Sequence, residues 1–163
     1  MTGVAEAGTS DGGARRALRA GELAFVQAAR VGRLATVDAH QRPTVVPVCF
    51  TVVGDVPAIV SVLDEKPKRV GDEDLGRVRN IRRNPRVCLV VDRYEEDWSR
   101  LAFVQVHGAA RVMAPDDEGH AGAVAALRAK YPQYREMAIE RRPVIVIEGL
   151  TGFSWRGDGS RFE

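Results

Sequence analysis

Six runs along the chain read as β-strands, and the connections between most of them are too short to cross over a sheet. "RLATVD" (33–38) alternates apolar and polar side chains. "TVVPVCFTVV" (44–53) is long and β-branched, and "PAIVSVL" (57–63) follows a Gly-Asp turn signal. After a polar stretch come "RVCLVVD" (86–92) and the longer "LAFVQVHGAARVM" (101–113); "PVIVIEGLTGFSW" (143–155) is the sixth. Parallel neighbours need crossovers of a dozen or more residues, so antiparallel pairing dominates. Six strands in 163 residues, with few residues left to cover them, predict closure into a small barrel.

Helices fill the remaining segments. Leu18, Leu23, Phe25, Val26 and Ala29 fall at helical spacing, which predicts a helix over 18–30 that Gly32 stops. A loop over 64–74 leads into a short helix at about 75–83. "NP" ends that helix, because the residue before a proline is pushed out of the α region. Asp116 and Asp117 precede a helix over 118–131, and "PQYREMAIERR" (132–142) reads as a second one. Residues 1–16 are Gly, Ala, Ser and Thr with few large apolar groups, which predicts a flexible tail ahead of a single domain over 17–163. Pro47 cannot donate to a ladder, so its strand is bulged or at an edge there.

Charge is informative only locally. The net charge is +2, too mild to mark a nucleic-acid protein. Yet nine basic residues lie between Lys66 and Arg93, out of 24 in the whole chain. Arginine supplies 21 of the 24, and its fork suits phosphate and carboxylate, although a high-GC genome gives the same bias. No stacking aromatics interleave the basic run, which weighs against single-stranded nucleic acid. Cys49 and Cys88 each sit in an apolar run and read as small buried hydrophobes. His40, His107 and His120 are scattered and make no metal set. The N-terminus lacks the apolar segment of a signal peptide and no stretch has membrane-spanning length, so a cytoplasmic protein is expected, with no membrane partner.

"GRLATVDAHQRPTVVPVCF", followed by a strand, a basic loop and "RVRNIRRNPRVCLVVD", resembles the pyridoxamine 5′-phosphate oxidase-like split β-barrel proteins. The polar loop "DEKPK" and the later "DRYEEDWSRLAFVQVHGAARV" resemble in particular an actinobacterial branch that uses the deazaflavin coenzyme F-420. The likeness covers about 22–156. It implies a mainly β fold with peripheral helices, a six-stranded antiparallel split β-barrel. It also implies a homodimer with a cofactor cleft at each side of the interface, and hydride transfer to or from a small organic substrate. The cofactor then carries the chemistry, which agrees with the lack of a Ser/His/Asp or paired-carboxylate pattern. An FMN-dependent oxidase or reductase, and a non-catalytic cofactor carrier, are the alternatives on the same barrel.

The resemblance assigns roles to residues of this chain. Arg77 on the short helix matches the family's phosphate-binding position, with Lys66 and Lys68 in the loop beside it, and Ser61 at the end of a strand adds a hydroxyl where these groups converge. Arg77 and Arg79 lie two apart and do not share a helix face, and Arg77 is the expected ligand. Val46, Pro47 and Val48 are the expected ring neighbours, where a proline interrupts the ladder and leaves backbone groups for a ring's polar edge; Thr36 faces them from the first strand. Core packing is the competing reading for the two valines. Trp98 either covers the ring or substrate, or anchors the dimer. The acidic trio Asp72, Glu73 and Asp74 is foreign to an anion site; it pairs with the surplus arginines or belongs to a flap.

Overall fold

The computed structural model describes residues 16–63 and 75–163. Eight strands form one antiparallel sheet: β1 (Arg16–Ala17), β2 (Gly32–Val37), β3 (Pro43–Val48), β4 (Thr51–Val53), β5 (Ala58–Val62), β6 (Arg86–Arg93), β7 (Ala102–Met113) and β8 (Val144–Arg156). The helices are α1 (Ala20–Ala28), α2 (Gly76–Arg83) and α3 (His120–Lys130). The strand order is β3-β2-β6-β7-β8-β5-β4, with β1 on the far half of β8. No ladder joins β3 to β4 among the described residues, so hydrogen bonding does not close the sheet. The chain closes it instead, because only Cys49 and Phe50 separate these two end strands. This is a barrel with a split, and the mainly β architecture agrees with the expectation from sequence.

The apolar run 44–53 is therefore two strands rather than one. At the corner the Phe50 N–H donates to the Tyr131 hydroxyl (2.9 Å), and that hydroxyl lies 2.6 Å from the Phe50 carbonyl. A side chain from the far end of α3 thus replaces the ladder partner that the corner residue loses. The dipeptide β1 is the other strand beyond the expected six.

Burial explains the composition of β5 and β8. Ile59 and Leu63 pack into one core cluster with Leu34, Phe50, Leu89 and Ile145; Val60 and Val62 pack into another with Val124, Leu127 and Val144. The strand is covered on both faces, so its sequence runs apolar without alternation. The second cover comes from α3 and from two single 3-10 turns, Pro132–Arg135 and Ile139–Arg141. These turns stand where one continuous helix is expected. Arg128 explains the break: it donates to the carbonyls of Tyr134 (3.1 Å) and Met137 (3.0 Å), holding them away from helical partners.

Two more expectations shift. Helix α1 ends at Ala28, and Gly32 begins β2 rather than capping the helix. A Cβ at Gly32 would sit 2.7 Å from Leu89 Cδ1, so the glycine permits close packing of β2 on β6. The expected tail, residues 1–16, lies outside the described residues except for Arg16, which pairs with Gly152.

Candidate functional site: the free edge of β3 and the helix beside it

Strand β3 has β2 on one side and, among the described residues, no strand on the other. An edge strand presents a row of N–H and C=O groups that no ladder uses. Pro47 sits in that strand opposite Arg33 and contributes a carbonyl without an N–H. Pro47 is exposed, Val46 is half-buried and Val48 belongs to the core. Val46 packs against the same core cluster, so both valines face the core, and Pro47 is the member of the trio presented to solvent.

Asn80 fixes this edge, and sequence reasoning missed it. Buried on α2, its side-chain amide donates to the hydroxyls of Thr36 (2.9 Å) and Thr44 (3.2 Å), which are themselves 2.9 Å apart. Thr36 is buried, and its hydroxyl is committed to this network. Through it α2 is pinned to β2 and β3, and Arg77, three residues earlier, is half-buried against the same assembly. The "RNI" segment that looked like part of a basic run therefore has a tertiary task. The only local signal was an amide amid arginines.

Ser61 is buried on β5, opposite Ile145, and its hydroxyl has no hydrogen-bond partner among the described residues. Lys66, Lys68 and the acidic trio lie outside the described residues. Trp98 is in a one-turn 3-10 helix (Trp98–Arg100) and is 69% exposed. Near the same ends of β7 and β8, Phe103 packs against Phe153 (5.6 Å between centroids) and stacks on Trp155 (6.0 Å). Both Phe153 and Trp155 remain largely exposed, an aromatic surface of the kind that marks interfaces.

A groove of about 470 Å³ crosses the outer face of β2, β6, β7 and β8, bordered by Ala35, Arg86, Cys88, His107 and Glu148. Cys88 and His107 are directly opposite in the β6–β7 register. Just beyond, β7 bulges at Gly108, where a Cβ would meet the Glu148 carbonyl at 2.7 Å. His120 is buried, with Nε2 2.7 Å from the Arg142 carbonyl, a structural role. No group of three or more potential metal ligands occurs among the described residues. No helix among them is long and apolar enough to cross a membrane.

A family model for pyridoxamine 5′-phosphate oxidase matches residues 21–156. The chain belongs to that family. One relative, the 5a,11a-dehydrotetracycline/5a,11a-dehydrooxytetracycline reductase of Streptomyces rimosus, is 33% identical over 96 residues. That match takes in 56% of this chain and 61% of the reductase, so the chain spans about three fifths of the relative's length. Among solved structures, a conserved hypothetical protein of Mycobacterium tuberculosis superposes with a TM-score of 0.67 at 18% identity, covering 91% of both chains. The haem storage protein HutZ of Vibrio cholerae does so at 0.58 and 16% identity, over 82% of this chain and 89% of its own. At such identities the likeness is one of fold.

Proposed function

We propose that this family member is an oxidoreductase that binds coenzyme F-420 along the free edge of β3 and reduces a small organic substrate. The observation that carries the proposal is the edge itself. Backbone groups that no ladder among the described residues uses, with Pro47 removing one donor, lie beside a helix locked in place by Asn80 and bearing Arg77. The polar rim of a planar ring matches such a row of donors and acceptors. Ser61 offers an uncommitted hydroxyl, and Arg77 with Lys66 and Lys68 supplies cations for a phosphate. Val46 and Val48 back the strand from the core side. In this reading Thr36 positions the strand rather than touching the ring, since Asn80 and Thr44 occupy its hydroxyl.

The bound deazaflavin supplies the hydride chemistry, and the chain's own residues bind, orient and exclude water. The relative that reduces a dehydrotetracycline supports reduction as the direction. The exposed aromatics Phe153, Trp155 and Trp98 support a homodimer in which one protomer's aromatic surface covers its partner's cleft.

Fluorescence titration of the purified full chain with F-420 and with FMN tests the cofactor. F-420 binds and FMN does not; a yellow protein with copurified FMN overturns this and establishes the flavin alternative. Arg77→Ala and Lys68→Ala each weaken binding about tenfold or more, the worth of one charge-assisted hydrogen bond of roughly 1.5–3 kcal/mol. Arg86→Ala leaves affinity unchanged. Unaltered binding in both of the first two variants refutes the phosphate assignment. Tight binding without turnover on a panel of unsaturated ketones would leave a cofactor carrier.

A further inference from the structure

We propose that a second site lies at the corner where α1, the β3–β4 bend and α3 meet, and that it binds a small organic carboxylate through Lys130 and Arg30. The starting point is Lys130, the last residue of α3. Its Nζ is shielded from solvent and has no hydrogen-bond partner among the described residues. It lies 4.4 Å from the centroid of the fully buried Phe50 ring and 5.6 Å from that of Tyr131. Two ring faces and the C-terminal end of a helix favour a cation. The ring faces provide no lone pairs for the ammonium's three N–H groups, and no carbonyl of the helix end among the described residues hydrogen-bonds to Nζ.

Among the described residues no acid meets this charge. The groups that bear on Lys130, among the same residues, are the Arg30 guanidinium from the link after α1, the Cys49 thiol from the bend and the adjoining Tyr131 phenol. Arg30 adds a second positive charge: one Nη donates to the Lys130 carbonyl (2.8 Å), and the guanidinium lies 4.7 Å from the Tyr131 ring centroid. Its other N–H groups have no acceptor among the described residues, and the residue is exposed. Burial first, and Arg30 second, push the lysine down to about 8. A buried cation beside a like charge is costly unless an anion joins it.

There is room for one. A cavity of about 280 Å³ is lined by Arg30, Val31, Cys49, Tyr131, Gln133, Tyr134 and Met137; Lys130 is not part of its wall and adjoins it through Tyr131, over whose ring the Nζ lies. The cavity is near the lower size limit of small-molecule sites and suits a benzoate-sized body. The walls are mainly aliphatic, aromatic and thioether surface, so the ligand carries an apolar body with one charged end. Arg30 offers the fork that grips a carboxylate. The flexible stem of Lys130 lets its Nζ turn from the Phe50 ring to the same oxygens. The Tyr131 hydroxyl takes no part, being engaged with both backbone groups of Phe50 and, at 2.9 Å, with the Arg30 carbonyl.

The site goes beyond the cofactor cleft and stands or falls independently of it. Calorimetry of the full chain at pH 8, in two buffers of different ionisation heat and at matched chloride ionic strength, uses benzoate as the probe. Wild type binds benzoate and takes up a fraction of a proton as Lys130 becomes fully charged. Arg30→Gln weakens binding at least tenfold. Lys130→Met abolishes binding and proton uptake, and the unliganded variant melts at or above the wild-type temperature. F-420 affinity is unchanged in both variants. Absence of benzoate binding, binding without proton uptake, equal affinity in Lys130→Met, or binding of inorganic phosphate in place of benzoate each overturns the proposal. Should Lys130→Met not fold, Arg30→Gln and the proton uptake of wild type decide it.

Discussion

Among the described residues, the Glu22 carboxylate and the Lys130 ammonium are both shielded from solvent, and they are treated in opposite ways. Glu22, on α1, has no exposed surface and every lone pair is in use. Arg16 grips both its oxygens (2.5 and 2.8 Å), the Ser154 hydroxyl donates to one (2.6 Å) and the Arg19 N–H to the other (2.7 Å). Lys130 has two aromatic faces and, among the described residues, no acceptor. The first arrangement fastens β1, α1 and the far half of β8 together with a matched pair. The second leaves an unmatched cation beside a cavity. Burial alone does not decide whether a charge stabilises; the number of partners it meets does.

The comparison breaks first at Glu22. Burial opposes its ionisation, but the Arg16, Ser154 and Arg19 hydrogen bonds outweigh this and hold its carboxyl down to about 2, against an ordinary 4.5. A carboxyl depressed in the folded state contributes stability that is complete above pH 4.5 and is lost as pH falls from there towards 2. Glu22→Gln removes the charge but leaves Arg16, whose side chain is 37% exposed and so partly served by water. The expected cost at pH 7 is about 3 kcal/mol, the lower end for breaking a buried pair. Urea midpoints taken between pH 7 and pH 3 check this: the wild-type curve falls across that window and the variant's is flatter. An equal slope in both would remove Glu22 as the anchor.

Tyr131 tests the other corner at smaller scale. Its hydroxyl stands in for a strand at Phe50, and Tyr131→Phe leaves a buried N–H and carbonyl unmet. That costs about 1–3 kcal/mol in chemical denaturation. The same change keeps both rings around Lys130, so benzoate binding survives it. Loss of binding together with stability would mean that the bend itself, not the unmatched ammonium, makes the cavity.

What the sequence allowed one to read follows from how local each cause is. Strands β6 and β7 were legible because alternation and length are written in consecutive residues. The division of 44–53 was not, because the partner that permits the bend is Tyr131, far along the chain. The turns over 132–141 read as helix because Arg128, which takes their carbonyls, precedes the segment. At the candidate site Pro47 was visible, since a missing N–H is a property of the residue itself. Asn80 was not, since an amide declares its task only when two threonines from other strands arrive. Glu22 and Lys130 fall within the predicted helices with nothing local to single them out, and only the packing of other elements over them shows their setting.

The smallest effect belongs to a pair that looks as intimate as the anchor. Arg33 on β2 and Asp92 on β6 make a very short contact, closer than Arg16 with Glu22. Their side chains are 49% and 39% exposed, however, so water already solvates both charges in the folded state. Solvated charges gain little Coulomb energy and lose side-chain freedom on pairing, and salt screens what remains. Asp92→Asn therefore shifts the urea midpoint far less than Glu22→Gln, and any shift vanishes in raised sodium chloride, whereas the Glu22 effect persists. If the two substitutions cost the same, contact distance rather than burial with full hydrogen bonding sets the value of a charge pair in this barrel. The contrast between Glu22 and Lys130 would then need a different cause.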